Sequence, residues 1–183
     1  MKKTIIWVIC ILAFILLMTG AVFLYEKLQS EYEPKVDVSE EAEDINYQAP
    51  DFEVIDSDGK TVRLSDFFGK PIVLNFWASW CPPCKSEMPD FESAYREYGE
   101  NINFIMVNST GGRETLATAK NFLSGTDYTF PVYFDTKYDA AMTYGINSLP
   151  TTIFIDEDGN LVTYANGMLD AKTLQRGIDM ITD

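Results

Sequence analysis

The sequence predicts an α/β domain with a mixed central sheet flanked by helices, carrying an N-terminal β-hairpin and preceded by one transmembrane helix. Three observations predict it. The run "PIVLNFWA" at 71–78 is apolar and β-rich without alternation, as a strand covered on both faces must be. It passes directly into a helical pattern, and "INFIMVN" at 102–108 repeats the arrangement of buried strand and following helix. Residues 5–24 form an uncharged apolar stretch of 20, close to the length that a helix needs to cross a bilayer.

Lys2 and Lys3 precede the apolar stretch and an acidic segment follows it, so the C-terminal part is expected to face outward. The competing reading is a secretory signal peptide. Its apolar core is shorter, about 7–15 residues, and Thr19-Gly20-Ala21 makes a poor cleavage site. Cys10 does not fit a lipoprotein cysteine, because Ile9 stands before it where a small residue is wanted, and it reads as an apolar thiol in the anchor. Residues 25–48, with Pro34 and a Ser-Glu-Glu-Ala-Glu-Asp cluster, lack periodicity and read as an acidic linker. The expected division is an anchor at 1–24, the linker at 25–48 and one domain at 49–183.

Within that domain, "FEVID-SDGK-TVRLS" reads as a hairpin turning at Asp58-Gly59. Residues 82–98 read as a helix that opens on Pro82 and Pro83, ends at Gly99 and is kinked by Pro89. Residues 113–124 read as helical, "FPVYFD" at 130–135 as a short strand and 136–144 as a short helix. "TTIFID-EDGN-LVTYAN" is a second hairpin. Residues 170–181 close the chain as an amphipathic helix, with Leu174, Ile178 and Ile181 on one face. "DSDG" and "DEDG" resemble half a calcium loop but lack its later ligands, so hairpin turns are the better reading. "STGGRE" lacks the Gly-Lys-Ser/Thr ending of a phosphate loop.

Composition excludes several chemistries. The formal charge is −14, and beyond the anchor 12 basic residues face 28 acidic ones, which argues against nucleic acid or anionic lipid as partners of the domain. There is no histidine, which removes Cys-His and Ser-His nucleophile pairs and every His-based metal site. Of three cysteines, Cys81 and Cys84 belong to the domain, as "CPPC".

A structural zinc site wants four ligands, and completing one here needs carboxylates or a partner. A static disulfide would close a tiny loop and stabilise little. A reversible disulfide fits better, because two intervening residues on a first helical turn bring the sulfurs within bonding reach. Cys81 opens the helix, where unpaired N–H groups and the helix dipole favour a thiolate. Cys84, one turn in, is expected to be shielded. Cys81 would then attack a substrate disulfide, and Cys84 would resolve the mixed disulfide. Glu87 lies one turn beyond Cys84 on the same helix face. Burial there would raise its pKa toward neutrality and suit it to accept the resolving proton.

"VLNFWASWCPPCKSEMP" followed by "SLPTTIFIDEDGNLV" resembles the thioredoxin-like family, and within it the membrane-anchored TlpA/ResA type of thiol–disulfide oxidoreductase. The resemblance covers about residues 48–182. It implies a thioredoxin-like fold with an insert over roughly 109–138, a cis peptide bond before Pro150, and Pro150 beside Cys81. It further implies client contacts at Trp80, Pro82, Leu149, Pro150 and Thr151, with the Leu149 main chain pairing to an extended client segment. It places an active-site glutamate at Glu87. Thioredoxin proper has a buried Asp where this chain has Asn75, which cannot act as a base. The stretch 49–77 also resembles peroxiredoxins, but Ala78 stands where their Thr precedes the reactive Cys.

The expected function is reduction of disulfides in exported client proteins through the Cys81–Cys84 dithiol, outside the cytoplasmic membrane, with no other cofactor and no metal. Pro82 and Pro83 tune the couple: Pro82 removes an N–H that could have bonded to sulfur, and no His stands between the cysteines, both of which favour a reducing pair. Family resemblance implies a CcdA- or DsbD-like membrane electron donor, with apocytochrome c among the candidate clients. The alternatives are a disulfide-forming oxidase and a non-enzymatic module that binds copper or a client.

Overall fold

The computed structural model describes residues 16–20 and 47–182 of the 183-residue chain. The chain divides into two units, Met1–Lys35 and Val36–Asp183. In the first, residues 16–20 are helical. Lys2, Lys3, Cys10 and the rest of the expected anchor lie outside the described residues, as does the linker up to residue 46. Among the described residues no helix is long and apolar enough to cross a membrane.

The second unit is built on a seven-stranded mixed sheet. Its strands are β1 (Glu53–Ile55), β2 (Thr61–Arg63), β3 (Ile72–Trp77), β4 (Asn103–Asn108), β5 (Val132–Phe134), β6 (Thr151–Ile155) and β7 (Leu161–Asn166). They run in the order β2-β1-β5-β4-β3-β6-β7. β3 pairs in parallel with β4 and antiparallel with β6, so both of its edges are filled. The two predicted hairpins form the two ends of the sheet. Both turn on a left-handed glycine, Gly59 (φ +84°) and Gly159 (φ +85°). The Asp56 and Asp156 carboxylates cap the turn amides of Lys60 and Asn160, so these acids serve the turns themselves.

Among the described residues four α-helices accompany the sheet: α1 (Pro82–Tyr98), α2 (Leu116–Ser124), α3 (Asp139–Thr143) and α4 (Ala171–Thr182). α1 runs through Pro89. α2 begins later than its pattern suggests, because the Thr115 hydroxyl accepts from the Thr118 N–H and fixes the start there. α3 is likewise shorter than predicted. The expected insert is no appendage: it supplies α2 and the interior strand β5. The first sheet contact comes earlier than the expected boundary, since Tyr47 O accepts from Leu161 N–H at 3.0 Å and Gln48 bridges Asn160.

Alternation, invisible in the apolar runs, sorts β3 between two cores. Val73 and Trp77 pack with Met88 and Phe91 of α1 and with Leu174, Ile178 and Ile181 of α4. Ile72, Leu74 and Phe76 pack with Phe52, Leu64 and Ala140 on the opposite face. Asn75 falls on the α1 face, between Val73 and Trp77, and this single polar residue in the strand points to the site. α4 approaches the sheet closely at Gly177, where a Cβ would stand 2.2 Å from the ring of the buried Phe154.

Gly177→Ala is therefore expected to destabilise the domain. Overpacking costs about 1–3 kcal/mol and exceeds the helix-propensity gain of up to about 1 kcal/mol. Denaturant unfolding of the variant beside the wild-type protein measures the difference.

Candidate active site

β3 ends at Trp77, and the chain turns through 78–80 into α1, whose N-cap is Cys81. Pro82 and Pro83 occupy the first helical positions, where a missing N–H costs nothing. The first amide that the helix can offer is therefore that of Cys84, and it donates to Cys81 Sγ at 3.3 Å. Cys81 and Cys84 are joined in a disulfide of 2.04 Å with their Cα atoms 5.3 Å apart. Both are buried, Cys84 completely and Cys81 with 3% of its surface exposed, while Pro82 and Pro83 lie open to solvent.

Glu87 lies one turn further along and is 1% exposed. Its Oε1 accepts from Asn75 Nδ2 at 2.9 Å, and its Oε2 accepts from the Leu169 N–H at 2.9 Å. Asn75 Nδ2 also donates to Thr152 Oγ1 at 3.0 Å, which locks the amide between β6 and α1. Burial raises the Glu87 pKa from 4.5 to about 7; the bonds from Leu169 and Asn75 oppose the shift, and the nearby Asp90 adds to it. Glu92, five residues on, is the contrast. Burial pushes it upward too, but donors from Thr129, Arg96 and Phe130 outweigh burial and leave its pKa lowered. Two neutral donors do not offset the burial of Glu87, whereas four contacts including a guanidinium do so at Glu92.

The Leu149–Pro150 peptide is cis, as expected. Pro150 is buried, and the register of β6 on β3 sets it level with Trp77, at the end of the sheet from which the Cys81 turn departs. Leu149 is half-buried and packs against the core that contains both cysteines. Thr151 differs from the expectation of a client contact. It is 4% exposed, paired with both Phe76 and Asn166, and its hydroxyl lies 3.0 Å from Ser148 O and 3.1 Å from Asn166 Oδ1. Sheet pairing on both sides makes it a support of the cis-proline loop.

Trp80 is 44% exposed beside the disulfide. The Arg113 guanidinium lies over its ring, 4.2 Å from the centroid. Next to them the buried Glu114 carboxylate accepts from the Ser79 N–H and from the Ser79 and Thr118 hydroxyls. Sequence reasoning found neither Arg113 nor Glu114, nor the Leu169 amide. Their sequence distances from the motif, 35 residues between Ser79 and Glu114 and 82 between Glu87 and Leu169, carry no periodic signal. Among the described residues no cluster of three His, Cys, Asp or Glu is placed to hold a metal.

A redox disulfide at the N-terminus of a helix, a cis-proline at the adjoining sheet end and a mixed thioredoxin-like sheet define a thiol–disulfide oxidoreductase. The chain belongs to the AhpC/TSA family, whose pattern matches residues 45–164. It is 38% identical over 144 residues to thiol-disulfide oxidoreductase ResA of Bacillus thuringiensis subsp. konkukian, covering 78% of this chain and 82% of that protein. It is 35% identical over 133 residues to the thioredoxin-like protein YneN of Bacillus subtilis, covering 73% and 78%. The exposed lipoprotein thioredoxin of Streptococcus pneumoniae superposes with a TM-score of 0.64 at 38% identity, over 71% of this chain and 98% of that one. StoA of Bacillus subtilis gives 0.63 at 27%, over 71% and 97%.

The raised pKa of Glu87 links stability to pH. The folded state holds a proton on Glu87 that the unfolded state releases at 4.5, so stability falls as pH rises from 4.5 and levels off above about 7. Over that window the decline attributable to Glu87 is about 3 kcal/mol, and Glu87→Gln should remove it. Denaturant midpoints of the two proteins across pH 4–8 (about one unit per step) measure it; parallel curves would contradict the assignment.

Proposed function

We propose that this protein reduces disulfides in exported client proteins from the outer face of the cytoplasmic membrane, to which residues 5–24 anchor it. The observation that carries the reducing direction is the turn at Cys81. With Pro82 and Pro83 in the first two helical positions, the Cys84 N–H is the one main-chain donor to Cys81 Sγ among the described residues. A strong oxidant needs a heavily stabilised thiolate, and a single donor stabilises it little. The location is supported by the Lys2-Lys3 and apolar pattern, and by a solved relative described as an exposed lipoprotein.

In the proposed cycle the Cys81 thiolate attacks one sulfur of a client disulfide. A Cys81–client bond forms, and the other client sulfur leaves as a thiolate and takes up a proton. Cys84 then gives its proton to Glu87 and attacks Cys81 Sγ. The Cys81–Cys84 disulfide forms, and the second client sulfur leaves as a thiolate that is protonated in turn. Two electrons and two protons reach the client, and a CcdA- or DsbD-like membrane thiol donor resets the pair. The disulfide itself is the only redox group the cycle requires. Leu149 offers main-chain pairing to the client, with Pro150, Pro82 and the exposed Trp80 around the sulfurs. Apocytochrome c is one client of the right kind.

Two results are expected. The Cys81–Cys84 couple, equilibrated with glutathione or dithiothreitol buffers, should lie nearer about −270 mV than about −120 mV; a value at the upper end would reverse the direction and make the protein a disulfide-forming oxidase. Cys84→Ser should accumulate a mixed disulfide at Cys81 that mass spectrometry detects, whereas Cys81→Ser should neither trap nor reduce a client. Trapping by Cys81→Ser at Cys84 would exchange the two roles.

A further inference from the structure

The loop between β4 and α2, "STGGRE", has no part in the cycle above, yet it is built against the active-site turn. Ser109 N–H donates to Trp77 O at 2.9 Å, which starts the loop at the end of β3. Gly111 and Glu114 then exchange main-chain bonds of 2.7 and 2.9 Å. Gly111 and Gly112 have φ of +147° and +57°, so the tight turn favours glycine at both. Tyr138 closes over it, and a Cβ on Gly111 would lie 2.0 Å from its hydroxyl. Glu114 then ties the loop to Ser79, and Arg113 lies on Trp80. Two consecutive residues of the loop thus engage the two residues that precede Cys81.

Among the described residues the guanidinium at the end of this assembly has no neutralising partner. Among the described residues no hydrogen bond or ion pair engages Arg113, whose only contact of this kind is the Trp80 face. The neighbouring carboxylate, Glu114, is buried and already accepts from Ser79 and Thr118. A stacked guanidinium keeps its planar fork of N–H donors free at the edge, in the geometry that a carboxylate accepts with both oxygens. The side chain is exposed and adjoins the disulfide through Trp80. The whole chain carries −14, so its surface otherwise repels acidic segments. Lys85, in the first turn of α1, is exposed and adds positive charge, but without an aromatic platform to fix it.

We propose that Arg113, held on Trp80 by the Gly111–Glu114 turn, is a specificity-determining residue that favours substrates with a carboxylate beside the disulfide under attack. The inference rests on Cys81 being the attacking thiol and holds for either net direction of exchange.

The test uses the reduced protein and three small disulfides: the dianionic dithiobis-nitrobenzoate, the neutral dithiodipyridine and the dicationic cystamine. Second-order rates are compared as ratios between reagents, which cancels any change in Cys81 reactivity, and those ratios are compared between variants, which cancels the intrinsic reactivity of each reagent. Arg113→Gln should lower the anion-to-neutral ratio about three- to fivefold at low ionic strength, the size of one exposed charge pair. It should raise the cation-to-neutral ratio. About 0.5 M salt should erase most of both changes. Arg113→Lys should keep part of the preference, since the charge remains without the planar fork. Lys85→Gln, which removes an equal charge, should change the ratios less. Equal slowing with all three reagents would mean that Arg113 only holds the loop or acts on Cys81 reactivity, and would overturn the assignment. Equal effects of Lys85→Gln and Arg113→Gln would overturn it as well, by showing a general field. A wild-type protein inert toward all three would instead remove the exchange chemistry itself, and the Arg113 assignment with it.

Discussion

β3 is buried on both faces and paired on both edges, and every part of the site hangs from its C-terminal end. A strand so enclosed cannot slip by one residue without exchanging its two cores. That constraint fixes Asn75 toward α1 and fixes the point at which the chain leaves the sheet for Cys81. Both neighbours of β3 contribute at the same end. β6 enters there with the cis-proline loop, because it runs antiparallel, and β4 ends there with the loop that carries Arg113 and Glu114, because it runs parallel. The mixed character of the sheet is what gathers these segments on one side of the disulfide.

Electrostatics in the site follow from who is buried and who is partnered. Glu87 and Glu92 lie on one helix and are both largely removed from water, yet their pKa values move in opposite directions. Glu87 is the more deeply enclosed of the two and has only neutral amide donors, whereas Glu92 is less enclosed and its donors include Arg96. Asn75 keeps Glu87 in place without competing for its proton. It is a fixed, neutral donor in a strand otherwise made of apolar side chains. On the outer side the sign is reversed, with a cation over Trp80 that has no ion pair among the described residues, on a strongly acidic chain. The disulfide thus lies between a protonatable carboxyl within and a positive charge at the rim.

Much of this was legible from particular residues. Apolar runs without alternation at 71–78 and 102–108 read as doubly covered strands, and both are. Pro82-Pro83 and Gly99 marked the two ends of α1 correctly, since capping chemistry is local. The spacing of Cys81, Cys84 and Glu87 put all three along one side of that helix. Element starts were less legible at α2 and α3, where a threonine cap and a left-handed Tyr138 displaced the boundaries. The resemblance implied a client contact at Thr151; only the sheet register shows that it is paired on both sides.

By itself the sequence determined the redox chemistry and the frame that carries it. Two cysteines on a first helical turn after a buried strand, in a domain without histidine, leave few other uses for their sulfurs. Local rules of propensity, capping and covalent spacing suffice for that much. Tertiary structure decided the surroundings: which amide holds Glu87, which carboxylate anchors Ser79 and which cation meets Trp80. These pairings join residues 33 to 82 positions apart. They arise from the order in which strands enter one sheet, and no period or spacing in a single chain records that order.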